Sequence, residues 1–100
     1  MDKIQERMIY IREHLTREQL ASQLEEEAIE LAMAAAKVAR GIREGWSEEV
    51  DAGYMEDLIE EYGDVLNILE VMDIRPDEEE REFKMNRWET RLRNRENGDY

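Results

Sequence analysis

Pairs of acidic residues three positions apart are the feature of this chain best suited to chemistry. On a helix, residues with this spacing lie on the same side, and carboxylate oxygens are good ligands for divalent cations. With 27 acidic residues among 100, such pairs also arise by chance, so spacing alone is weak evidence. Pairs of this type include Glu27/Glu30, Glu48/Asp51, Glu61/Asp64, Glu70/Asp73 and Glu79/Glu82. The pairs beginning at 48, 70 and 79 fall in a loop or on polar faces and are interpreted as surface charge.

Two of these pairs lie instead on apolar faces of predicted helices. Glu27 interrupts the stripe formed by the leucines of 20–31, with Glu30 at its edge, and Glu61 and Asp64 lie among the apolar residues of 58–71. Carboxylates on a buried face are costly unless a cation or hydrogen-bond donors compensate them. A bound cation would remove the repulsion, and carboxylate-only ligation favours Mg²⁺ first and Mn²⁺ second. The alternative is pairing with Arg or Lys at a subunit interface.

Basic residues are scarce, and one group of them forms a ridge. Lys84, Arg87, Arg91 and Arg95 are spaced three, four and four residues apart, beside Trp88. One interpretation is ion pairing with the acidic helices, and the other is a cationic strip for phosphates. Magnesium carboxylates and a basic ridge in one small domain together suggest metal-assisted chemistry on a phosphate ester.

The elements that must position these residues are predicted to be four helices in an all-α fold. Apolar periodicity predicts helices over residues 2–14, 16–41, 54–72 and 77–95. Thr16 with Gln19 matches a capping box, and Gly41 is predicted to end the second helix. Residues 41–53 are predicted to be a loop, residues 73–76 a turn, and residues 96–100 a frayed tail.

Composition limits the class of protein. One hundred residues allow a single domain, 1–100, and a net charge of −13 argues against nucleic acid or an anionic membrane as partner. The absence of cysteine excludes thiolate sites, and a single histidine, His14, excludes paired-histidine metal sites. No apolar run reaches transmembrane length, so we expect a soluble, cytoplasmic protein. The third helix is apolar over most of its circumference, which predicts a homodimer or tetramer that completes the bundle.

Two motifs in order resemble the MazG-like all-α nucleotide pyrophosphohydrolases. The first is the EExxE sequence of residues 26–30, and the second is the ExxD sequence of residues 61–64. A basic segment, KMNRWETRLR, follows near the C-terminal end, so the resemblance covers about residues 17–93. It implies Mg²⁺-dependent hydrolysis of a nucleoside triphosphate to the monophosphate and pyrophosphate, as nucleotide-pool house-cleaning.

The resemblance also assigns roles to individual residues. The residues that match the family's metal ligands are Glu27, Glu30, Glu61 and Asp64. Glu26 matches the acid that orients or deprotonates the attacking water. Lys84, Arg87 and Arg91 fall in the segment expected to contact phosphates, and Asn67 falls where a polar residue often faces the nucleotide.

One departure from the family concerns the 30 residues between Glu30 and Glu61, a long gap. The excess residues of this gap are expected in the 41–53 loop. Trp46 or Tyr54 is expected either to stack on a base or to belong to the core or an interface. The main rival is a non-catalytic helical interaction module of the same fold. A ferritin-like di-iron protein ranks low because the required Glu-x-x-His sequence is absent.

Overall fold

Four helices account for most of residues 2–98, which the computed structural model describes. They are α1 (Lys3–His14), α2 (Arg17–Glu44), α3 (Glu48–Val71) and α4 (Glu78–Glu96), and residues 2–98 contain no strand. The predicted all-α class is therefore confirmed. The predicted frayed tail lies partly outside the described residues, and α4 itself runs through Glu96. None of the four helices is both long and apolar enough to cross a membrane.

A side-chain cap begins each helix. The cap side chains of Asp2, Thr16, Ser47 and Asp77 each accept a hydrogen bond from the backbone N–H three residues later. Thr16 and Gln19 bond reciprocally, which confirms the predicted capping box. These caps satisfy backbone donors that have no partner inside the helix.

The centre of the fold is an antiparallel hairpin of α2 and α3, joined by a three-residue connection. Along each helix, one series of buried or half-buried residues has alternating spacings of three and four, the pattern of a coiled-coil seam. On α2 they are Leu20, Leu24, Glu27, Leu31, Ala34, Val38 and Gly41. On α3 they are Asp51, Tyr54, Leu58, Glu61, Val65, Ile68 and Met72. Both seams therefore contain one glutamate at mid-length.

The prediction of a loop over residues 41–53 is wrong, because most of these residues are helical. Gly41 is buried inside α2, and a Cβ there would lie 2.7 Å from Cε3 of Trp46. The residue that ends α2 is Gly45, whose φ of 71° is left-handed, and Trp46 N–H donates to the carbonyl of Gly41 at 3.0 Å. Gly41 thus permits close packing of an indole ring rather than terminating a helix. The extra residues between the two motifs lengthen both helices instead of forming a loop.

Helix α1 is attached to the end of α3 through Arg12. Its Nε donates to the carbonyl of Val71 at 2.6 Å, and a terminal nitrogen donates to the carbonyl of Glu70 at 3.3 Å. These carbonyls belong to the last turn of α3, where no N–H four residues later continues the helix, and the Glu70 carbonyl also accepts from Asp73 N–H at 3.0 Å. Arg12 therefore serves as a long-range C-terminal cap that ties the first helix to the hairpin.

Helix α4 does not pack against any of the other three helices. The radius of gyration is 18.0 Å, well above the value of about 13 Å typical of a compact 100-residue domain. The apolar side chains buried within residues 2–98 are Leu20, Ala34 and Val71. A single chain therefore packs three helices together and leaves the fourth extended.

Replacing Gly41 by alanine should destabilise the protein. The added methyl group would lie 2.7 Å from the Trp46 ring and 2.9 Å from Oδ1 of Asp51, so the helix junction must shift. The matched control is Gly53→Ala within α3, where a Cβ meets nothing within 4 Å, and it should stabilise by about 0.5–1 kcal/mol. Chemical denaturation at one protein concentration measures both, and a Gly41→Ala variant as stable as Gly53→Ala would contradict this packing.

Candidate metal centre

Three of the four predicted ligands lie together between α2 and α3. One carboxylate oxygen from each of Glu27, Glu61 and Asp64 lies within 4.8 Å of the other two. Glu27 and Glu61 are half-buried and Asp64 is exposed. We call these three residues the carboxylate triad.

The seam between the two helices positions the glutamates of the triad. Leu24 and Leu31 flank Glu27 on α2, and Leu58 and Val65 flank Glu61 on α3, at seam positions. Because these apolar neighbours pack across the hairpin, the glutamate carboxylates are drawn in with them. The Oε2 atoms of both glutamates are buried, and neither has a hydrogen-bond partner among residues 2–98. Buried carboxylate oxygens without a partner need a compensating group.

Burial and repulsion from neighbouring acids both raise the pKa of the two glutamates of the triad. Desolvation is the largest cause that raises the pKa of Glu27 and of Glu61 above 4.5, and the negative charge of Glu30 follows. Asp64 raises the pKa of both glutamates further by the same repulsion. The ionised forms of these two glutamates are therefore destabilised, and a bound cation would offset that destabilisation.

Gln23 is a contributor that the sequence analysis did not single out. Its Nε2 donates to Oε1 of Glu27 at 3.0 Å. This hydrogen bond favours the ionised carboxylate and so offsets part of the rise in the pKa of Glu27. The only signal in the sequence is its position one helical turn before Glu27. Groups of this kind orient metal ligands and tune their affinity.

The other two acids of the first motif lie on the edge of the cluster. Glu30 is exposed and outside the triad, yet its carboxylate is near enough to raise the pKa of both buried glutamates. Glu26 is exposed and one helical turn before Glu30, on the same flank of α2. Asn67 is also exposed, one turn beyond Asp64 on α3.

The predicted phosphate-binding residues lie elsewhere in the chain. Lys84, Arg87 and Arg91 are exposed on α4, which does not pack against α2 or α3. Lys84 lies 3.9 Å from Glu80 of its own helix, and within residues 2–98 the two arginines form no ion pair. A single chain therefore does not bring the basic ridge to the carboxylate triad.

The two candidate base-stacking residues occupy the closed end of the hairpin. The rings of Trp46 and Tyr54 lie 5.0 Å apart, and the Arg40 guanidinium lies 5.4 Å from the Trp46 ring. Trp46 also covers Gly41. The helical rise of 1.5 Å per residue separates Gly41 from Glu27 by roughly 20 Å. Trp46 therefore packs at the helix junction, as in the alternative interpretation that it belongs to the core.

The donor set fits a hard divalent cation. The triad supplies three carboxylates with closely spaced oxygens, two of them buried without other partners, and Glu30 offers a fourth nearby. Oxygen-only ligation of this kind suits Mg²⁺ or Mn²⁺, which retain several water ligands. The triad includes neither a thiolate nor an imidazole, the ligands that favour softer metals.

Comparison with known proteins adds no relative. No protein-family profile, curated protein or solved structure matches the chain. Functional inference therefore depends on the site itself and on the motifs.

Substituting Glu61 should change how stability depends on pH. The pKa of each buried glutamate is higher in the folded protein than in the unfolded chain, so the folded state binds more protons between those two values. Stability therefore falls as pH rises through this window and stays reduced above it. Glu61→Gln removes one of these groups and one source of repulsion on Glu27. In the absence of divalent cations it should raise stability at neutral pH and flatten the decline.

Denaturation midpoints measured across the acid-to-neutral range test this expectation. Glu56→Gln, on an exposed part of α3, is the matched control and should follow the wild-type pH profile. If the stability of Glu61→Gln declined with pH as that of Glu56→Gln does, the pKa of Glu61 would not be raised by its surroundings.

Proposed function

We propose that the chain is a Mg²⁺-dependent nucleoside triphosphate pyrophosphohydrolase, acting on (d)NTPs in the cytoplasmic nucleotide pool. The observation that carries this proposal is the carboxylate triad, in which the two buried glutamates come from two different motifs. Those motifs are the EExxE and ExxD sequences that resemble the MazG-like family.

In this proposal the metal is held by Glu27, Glu61 and Asp64, with Glu30 completing the set. Bound Mg²⁺ would neutralise phosphate charge and lower the pKa of a nearby water molecule. Through that neutralisation a protein of net charge −13 can accept a polyanionic substrate.

The remaining residues have roles that follow from their positions. Glu26 is exposed beside Glu30, so its carboxylate can accept a proton from water at the edge of the cluster. Asn67 is near Asp64 on the outer side of α3, where its amide can contact the nucleotide. Lys84, Arg87 and Arg91 would contact the β- and γ-phosphates and stabilise the charge that develops as pyrophosphate leaves.

Self-association is part of the same proposal. Met55, Ile59, Tyr62 and Leu66 form an exposed stripe along α3 at spacings of four, three and four. At about 100° per residue this stripe lies on the side of the hairpin opposite Asp64. We name it the apolar face, and we propose that a second copy covers it. So few apolar side chains are buried in one chain that burial between copies must supply much of the stability.

A non-catalytic interaction module is the second candidate. The observation in its favour is the amount of apolar surface left exposed on α3 and α4. The interaction module differs from the enzyme in one measurable respect, because it would hydrolyse no nucleotide.

Hydrolysis of a panel of canonical and modified triphosphates in ¹⁸O-labelled water, with Mg²⁺ present, tests the proposal. We expect pyrophosphate as the initial product and the label in the monophosphate, which indicates attack at the α-phosphorus. Glu61→Gln should abolish turnover, whereas Glu56→Gln should retain it. Orthophosphate as the initial product, or label only in pyrophosphate, would contradict the reaction, and no turnover at all would favour the interaction module.

A further inference from the structure

Helix α4 exposes a stripe of large apolar side chains that the other three helices leave uncovered. Met85, Trp88 and Leu92 are 63%, 57% and 44% exposed, and the helix packs against no other. Exposed apolar stripes of this kind mark contact surfaces. The question is which surface the stripe contacts.

Charge divides the two edges of that stripe. At about 100° per residue, Lys84, Arg87 and Arg91 lie along one edge, and Glu82 and Glu89 lie along the other. We call the first the basic edge. A docking surface for this helix must therefore be partly apolar and carry negative charge on one side.

The acid-bearing side of the hairpin has this composition. Helical geometry places Glu26, Glu30 and Asp64 on one side of the α2–α3 seam, opposite the apolar face. Ile29 and Met33 are exposed next to these acids on the outer surface of α2, at 54% and 58%. We name this surface the acid face. It offers apolar contacts for Trp88 and its neighbours and negative charge for the basic edge.

In the structure, the connection between α3 and α4 leads α4 of the same chain away from this surface, and α4 contacts neither α2 nor α3. Asp73 N–H donates to Glu70 at 3.0 Å and Ile74 N–H donates to Leu69 at 2.9 Å, so both residues close the end of α3. Asp77 caps α4, and Pro76 restricts the backbone of the residue before it.

We propose that α4 of a second copy lies across the acid face, with its basic edge over the carboxylate triad. The complete site then consists of carboxylates from one copy and guanidinium and ammonium groups from another. Charge complementarity carries this choice of occupant, because three basic side chains line the basic edge, and the acids of the acid face lie beside two glutamate oxygens that are buried without a partner among residues 2–98. The identity of the phosphate substrate rests on the proposed function, but the docking does not.

The apolar face and the acid face are on opposite sides of the hairpin, so they contact different neighbours. Two separate two-fold contacts generate a tetramer with dihedral symmetry. We therefore expect a dimer of dimers in which α4 is exchanged across one of the two interfaces.

Mixing two inactive variants tests whether the site is shared between copies. Glu61→Gln removes the triad, and the double variant Arg87→Ala with Arg91→Ala removes the basic edge. Co-expression with two different tags allows isolation of oligomers that contain both. Since each exchanged pair regains one intact site of two, mixed pairs should recover about half of wild-type turnover. Turnover no greater than that of the separate variants would overturn the proposal, because a site within one chain cannot be restored by mixing.

A second measurement decides the docking independently of turnover. Sedimentation of the double variant Arg87→Glu with Arg91→Glu should show a smaller assembly than the wild type. The matched control is Arg93→Glu, which lies on the opposite side of α4 and pairs with Glu89 at 3.5 Å, and it should leave the assembly unchanged. Equal masses for both variants would overturn the docking. If the wild type hydrolyses no nucleotide and the charge reversal still dissociates it, the proposed function fails and the docking stands.

Discussion

Two glutamates in an otherwise apolar helix–helix seam are the constraint on which the rest of this structure depends. Glu27 and Glu61 hold positions that leucine or valine would normally occupy in a coiled coil. Their Oε2 atoms are buried without partners, and their pKa values are raised by desolvation and by neighbouring acids. A hairpin with this defect is stabilised by anything that supplies positive charge at the seam. A divalent cation between the two helices would satisfy both carboxylates at once.

The proposed assembly and the proposed function both depend on this hairpin. Its opposite sides differ in chemistry, since one presents Met55, Ile59 and Tyr62 and the other presents Glu26, Glu30 and Asp64. In the proposed assembly a neighbouring copy covers apolar surface that one chain leaves exposed, and the fourth helix has both the apolar stripe and the positive charge to contact that copy. In that proposal the basic edge reaches the carboxylate triad only from a second copy, so turnover would depend on protein concentration.

Local sequence signals predicted the parts of the fold that depend on local physics. The Thr16 capping box and the grouping of Glu27 with Glu61 and Asp64 follow from side-chain spacing on helices, and both appear in the structure. The junction was not predictable in the same way. Gly41 resembles a helix terminator in sequence, and only the position of Trp46 in space reveals that it permits a close contact. The same limit applies to α4, because periodicity defines an apolar stripe but not the surface that covers it.

The most direct test of the central claim is to complete the seam with leucine. Glu27→Leu combined with Glu61→Leu should be more stable than the wild type without divalent cations, because an apolar pair replaces two unpartnered carboxylates. Mg²⁺ should raise the unfolding midpoint of the wild type and leave that of the double variant unchanged. A single Glu56→Leu variant, on the exposed side of α3, should keep the wild-type response to Mg²⁺. A double variant that is less stable than the wild type, or one that Mg²⁺ still stabilises, would contradict a metal site in this seam.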